Sequence, residues 1–99
     1  MLLPSEFYLS QNFPNPFKEK TKIKYCLPVK SIVKLNIFNS EGTLVKELVN
    51  MIHEAGTYEL EFNRRDISMG EYYCVIEAID LTSGLKKVFN DSKKMILLK

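Results

Sequence analysis

Apolar and polar residues alternate with period two along most of the chain. Ile23, Tyr25 and Leu27 alternate with Lys22, Lys24 and Cys26. Val33, Leu35 and Ile37 alternate with Lys34 and Asn36, and Tyr58, Leu60 and Phe62 with Glu59, Glu61 and Asn63. Successive side chains of a β-strand point to opposite faces, so each run predicts a strand with one face buried. Residues 72–79 are rich in apolar side chains at both parities, as a central strand would be.

Chain breakers fall between these runs. Leu27-Pro28 ends the first, because proline offers no donor to a ladder. Asn39-Ser40-Glu41-Gly42 reads as a turn whose glycine can take a positive φ. Ala55-Gly56 and Met69-Gly70 mark two further breaks, and Thr82-Ser83-Gly84 reads as a hairpin tip between Leu81 and Leu85. Short strands at this spacing, with no long helices between them, predict an all-β sandwich or barrel.

Residues 43–53 admit two readings. Leu44, Val45, Leu48, Val49 and Ile52 recur at helical spacing, which fits a short amphipathic helix. A strand with a bulge accounts for the same residues if Val45 and Leu48 point inward across it. The Asn-Ser-Glu-Gly turn favours the strand, since it would close a hairpin with the run before it.

The length of 99 residues fits one domain, read as 1–99 with residues 1–6 as linker or cloning-derived residues. The net charge of +2 leaves no basic stripe for nucleic acid. The longest apolar run, Tyr72 to Ile76, is too short to span a membrane, and Met1-Leu2-Leu3-Pro4 is too short for a signal peptide, so if the protein is secreted its export signal is expected elsewhere on a parent chain. Two cysteines could bridge the sheets of a sandwich, but parity opposes it. Cys26 falls opposite to the apolar face of Ile23, Tyr25 and Leu27, whereas Cys74 shares a face with Tyr72, Ile76 and Ala78. Free thiols are expected.

Catalysis is not expected. The one histidine, His53, falls in a predicted loop with no nucleophile motif beside it. One His and two separated Cys fall short of a zinc site, and Asp66, Asp80 and Asp91 lack the spacing of a calcium loop. No cofactor is implied. Asn90-Asp91-Ser92 matches the glycosylation triplet, a pattern frequent by chance.

Two stretches stand out. In Asn12-Phe13-Pro14-Asn15-Pro16-Phe17 the prolines force extended or turn geometry on Phe13 and Asn15, predicting a rigid corner that presents Phe13 and Phe17 to the core. At the end of the sequence, Met95 and Leu97 on one face with Ile96 and Leu98 on the other predict a strand buried on both sides, bracketed by the lysines 93, 94 and 99.

These stretches carry a family resemblance. Leu9-Ser10-Gln11-Asn12-Phe13-Pro14-Asn15-Pro16-Phe17, then Ile23-Lys24-Tyr25 and Leu27-Pro28, resemble the opening of the C-terminal sorting domains of type IX secretion cargo. Val33-Lys34-Leu35-Asn36-Ile37-Phe38, Gly42, Val45 and Leu48-Val49 follow in the family's order, then Ala55-Gly56-Thr57-Tyr58 and Gly70-Glu71-Tyr72-Tyr73. The pattern is also similar to the Ig-like domain of flagellar hook-capping proteins. Three stretches depart from it: Lys18-Glu19-Lys20, Glu71 between Gly and Tyr, and a longer hairpin over residues 78–93.

The resemblance implies an all-β, seven-stranded Ig-like or fibronectin-III-like antiparallel β-sandwich that directs a cargo across the bacterial outer membrane to the cell surface. The implied partners are an outer-membrane secretion translocon, a sortase-like peptidase and the N-terminal cargo domain of a parent protein. The recognised residues would be Lys93, Lys94, Met95, Ile96, Leu97, Leu98 and Lys99, with a Gly70-Glu71-Tyr72 turn, while Pro14, Asn15, Pro16 and Phe17 would form a conformational lock. The alternatives are a structural Ig-like spacer, or a carbohydrate-binding module using Tyr72, Tyr73 and Phe89.

Overall fold

The structure is a computed structural model that describes residues 3–65, 67–84 and 87–99. Among the described residues it holds seven strands and no helix: β1 (Tyr8–Leu9), β2 (Lys20–Leu27), β3 (Ser31–Asn39), β4 (Leu44–His53), β5 (Gly56–Asn63), β6 (Gly70–Asp80) and β7 (Val88–Leu97). They form two antiparallel sheets, ordered β1-β2-β5 and β4-β3-β6-β7. The expected two-layer sandwich is what the chain makes.

Alternation places the core. On β2 the buried Thr21, Ile23, Tyr25 and Leu27 alternate with outward Lys20, Lys22 and Lys24. On the facing sheet Val33, Leu35 and Ile37 of β3 and Tyr72, Cys74, Ile76 and Ala78 of β6 supply the opposing layer. Leu9, Phe17, Phe62, Met95 and Leu97 complete one buried cluster. Burying a large apolar side chain contributes about 1.5–3 kcal/mol, so these two inner faces supply most of the driving force.

The segment over residues 43–53 is a strand, and the register explains its helical look. Pairing of β3 with β4 passes from Leu35–Val49 to Asn36–Glu47, leaving Leu48 extra, and from Ile37–Lys46 to Phe38–Leu44, leaving Val45 extra. Each bulge moves the inward parity by one residue, so the half-buried Val45, Leu48 and Val49 recur at three and four instead of two. The turn before it is built as expected. Gly42 takes φ 83°, and Asn39 Oδ1 accepts from the amides of Glu41 and Thr43 at 3.0 and 2.9 Å.

His53 is not in a loop; it is the last residue of β4, half-buried between the two sheets. Its Nε2 lies 2.9 Å from the Tyr25 hydroxyl, and its ring is 4.2 Å from that of Tyr58. Burial holds the His53 imidazole below its ordinary value. Burial first, and then the nearby Tyr58, push the Tyr25 phenol up to about 12. Both cysteines are free: Cys26 is half-buried on the outward face, and Cys74 is buried, which pushes its thiol up to about 12. At the tip beyond β6, Asp80 Oδ1 accepts from the amide and hydroxyl of Thr82 at 2.6 and 2.7 Å, which holds its carboxyl below the usual range. Asp66, and Leu85 and Lys86 of the expected tip, lie outside the described residues.

Candidate functional site

Three separate stretches of sequence meet at one corner. β7 lies at the edge of its sheet and pairs with β6, so that Gly70 faces Leu97, Glu71 faces Ile96 and Tyr72 faces Met95. Gly70, Glu71 and Tyr72 are therefore the opening of β6 and not a turn. Lys94 and Glu71 point outward on neighbouring strands, with Nζ 3.2 Å from Oε2. An ion pair this exposed contributes about 0–1 kcal/mol, so it sets side-chain placement more than stability.

The strand is buried on one side only. Met95 and Leu97 are fully buried, Ile96 is half-buried, and Lys94, Leu98 and Lys99 are exposed. The expectation of burial on both faces fails because the fold has two layers, and the outer face of an edge strand meets solvent. Lys93 is half-buried beside Asp91, 3.7 Å from its carboxylate.

An edge strand leaves every second residue with an unpaired amide and carbonyl. Between Lys94 and Leu98 the proline-containing segment meets four of them. The Ile96 amide donates to Asn15 Oδ1 at 2.9 Å, and the Ile96 carbonyl accepts from the Phe17 amide at 2.9 Å. The Leu98 amide donates to the Phe17 carbonyl at 2.8 Å. The Lys94 carbonyl accepts from Gln11 Nε2 at 2.7 Å and from Asn15 Nδ2 at 3.4 Å. Phe17 thereby makes a parallel bridge to Leu97 while its ring enters the core edge-on to Phe62.

Phe13 does not reach the core and is 79% exposed. It pairs with Lys22 through two backbone hydrogen bonds, and directly paired residues share a face. Lys22 points outward, so Phe13 does too. Asn12 goes inside instead. Its Nδ2 donates to Thr21 Oγ1 at 3.0 Å and to the Pro14 carbonyl at 3.1 Å, and Thr21 Oγ1 donates to that same carbonyl at 2.8 Å. Both Phe13-Pro14 and Asn15-Pro16 are cis.

Arg64 is a residue that sequence reasoning passed over. Its Nη1 donates to the carbonyls of Leu98 and Lys18 at 3.0 and 3.3 Å, and its Nη2 to that of Ile67 at 3.2 Å. One guanidinium thus ties down the end of the sequence. An arginine just past a strand carries no periodic signal of that role. Thr21 could have been found, since the parity of Ile23 and Tyr25 extended backward places it inside.

The Tyr72, Tyr73 and Phe89 patch does not form. Tyr72 is buried and Tyr73, its chain neighbour, faces the other side of the sheet. Phe89 pairs opposite Ala78, far along the ladder, and stacks on Phe7 at 5.3 Å.

The corner is thus a two-layer core whose edge strand carries a row of outward side chains. The chain belongs to the secretion system C-terminal sorting domain family, whose model matches residues 11–90. It is a type IX sorting signal within a larger cargo protein, which is exported to the cell surface or secreted. The match takes in Pro14 to Phe17 and Gly70 to Tyr72, while residues 93–99 lie beyond it. No curated protein and no solved structure matches the chain.

Proposed function

We propose that the secretion machinery reads the outward side chains of the corner, namely Lys94, Ile96, Leu98 and Lys99 with Glu71, and not the strand's backbone edge. One observation carries this reading: Gln11, Asn15 and Phe17 already occupy the Lys94 carbonyl, the Ile96 amide and carbonyl and the Leu98 amide. A partner strand would have to displace those bonds to pair there, whereas the outward side chains stay accessible. Met95, Leu97, Gly70 and Tyr72 then act as framework, and Pro14, Asn15, Pro16 and Phe17 as the lock that holds β7 in place. The reader is an outer-membrane translocon, followed by a sortase-like peptidase. The strand order and the single buried cluster support an Ig-like, fibronectin-III-like sandwich folding as one domain from about Phe7 onward.

The test is delivery of a reporter fused to the chain in a type IX-competent bacterium. Removing residues 93–99 would also take Met95 and Leu97 out of the core, so outward substitutions are the cleaner probe. Leu98→Asp combined with Lys94→Gln should leave the melting midpoint nearly unchanged and abolish surface delivery. Unchanged delivery by that variant removes the proposal.

A further inference from the structure

The outward face of the β1-β2-β5 sheet carries a feature that the sorting role does not use. A trough of about 300 Å3 opens there between Tyr8 and Phe13, lined also by Ser10, Gln11, Lys22, Lys24 and Glu59, so that two lysines face one carboxylate. The register explains its shape: Tyr8 stands opposite Cys26 and Phe13 opposite Lys22, so Lys24 falls between two aromatic side chains on one face of the sheet. Those rings are 51% and 79% exposed, far more than packing against this fold requires.

Charge is left over in the same place. Lys20 pairs with Glu61 at 3.6 Å and Lys22 with Glu59 at 3.7 Å, both diagonally across the sheet. Lys24, which faces Glu59 directly in the ladder, forms no ion pair among the described residues. The Ser10 hydroxyl accepts from the Lys24 amide at 3.0 Å and keeps its own proton to donate. Gln11 spends its Nε2 on Asn12 and Lys94, which leaves its Oε1 free to accept.

We propose that this trough binds an acidic saccharide, a uronate-bearing glycan. The apolar C–H faces of a pyranose pack against exposed aromatic rings, and a sugar carboxylate pairs with an ammonium group that has no internal partner. The Ser10 hydroxyl and the Gln11 carbonyl suit sugar hydroxyls. A neutral sugar would leave Lys24 unused, and a run of acidic residues alone would leave both rings unused. The volume is at the low end for ligand sites and holds roughly one or two sugar rings. The inference does not rest on the sorting role, because the trough opens on the other sheet from Lys94, Ile96 and Leu98.

Titration of the 99-residue chain with trigalacturonate, followed by calorimetry, tests the proposal, with maltotriose and tri-glutamate as controls. Trigalacturonate should saturate the chain, more weakly as salt is raised, and neither control should. Phe13→Ala and Lys24→Gln, both outward-facing, should each weaken binding by about tenfold at an unchanged melting midpoint. Absence of saturation, equal binding of tri-glutamate, or undiminished affinity in both variants would overturn it.

Discussion

The amide of Ile96 donates to the Oδ1 of Asn15 over 2.9 Å, joining positions 81 residues apart. That bond makes the proline-containing segment part of the terminal strand's edge. Asn15→Ala should destabilise the domain by about 1–3 kcal/mol, because it strands a half-buried amide as well as removing a bond. Asn15→Asp keeps the acceptor and loses only the longer bond to Lys94, so it should cost less. Hydrogen exchange at Ile96 should accelerate in the alanine variant and stay near parental in the aspartate one. Unchanged protection in Asn15→Ala would show that the segment does not hold the strand.

Core truncations should be far more damaging than surface ones. Tyr25→Ala and Leu35→Ala, at positions 1% and 0% exposed, should each cost about 2–5 kcal/mol through the cavity left behind. Lys34→Ala, next to Leu35 but outward, should stay within about 0.5 kcal/mol. Urea unfolding of the three variants compares them directly. Similar losses at Leu35 and Lys34 would contradict the inward face assigned to β3.

Stability should fall toward both ends of the pH scale, and one cluster supplies part of each slope. Burial lowers the His53 pKa, so just below the ordinary value of about 6.5 the unfolded chain binds a proton that the folded chain refuses. Stability therefore drops as pH falls through that window and flattens below the folded pKa. In alkali the sign reverses. Tyr25 keeps its proton up to about 12 when folded, whereas an unfolded tyrosine loses it near 10, so stability drops as pH rises across that interval. His53→Gln should reduce the acid slope just below about pH 6.5 and Tyr25→Phe the alkaline one, where the buried Cys74 thiol supplies the remainder, both read from urea midpoints. Parental slopes in both variants would place the titrating groups elsewhere.

The two thiols should differ in reactivity. Cys74 is buried and its thiol is pushed up to about 12, so it presents almost no thiolate near neutral pH, whereas Cys26 is half-exposed on the outward face. Mass spectrometry after iodoacetamide treatment of the folded chain should show alkylation at Cys26 alone, with Cys74 reacting only in denaturant. Rapid modification of Cys74 in the folded chain would contradict its placement.

Local alternation was enough to assign β2, β3, β5 and β6 and the inward face of each, because a strand's period of two depends only on the backbone. It also separated Cys26 from Cys74 correctly. Alternation misled wherever a neighbour changed the parity. The bulges at Leu48 and Val45 exist only in the pairing of β4 with β3, so the strand alone looked helical. Phe13 faces solvent because its backbone pairs with Lys22, a partner that composition does not reveal.

What the sequence determined by itself is β2, β3, β5 and β6, the core face of each, and the family, since each is written in nearest-neighbour order. Tertiary structure alone decided how the ends of the sequence meet. Asn15, Phe17 and Arg64 hold β7 through backbone hydrogen bonds, and such bonds depend on which edge lies within about 3 Å, not on which residue carries the amide.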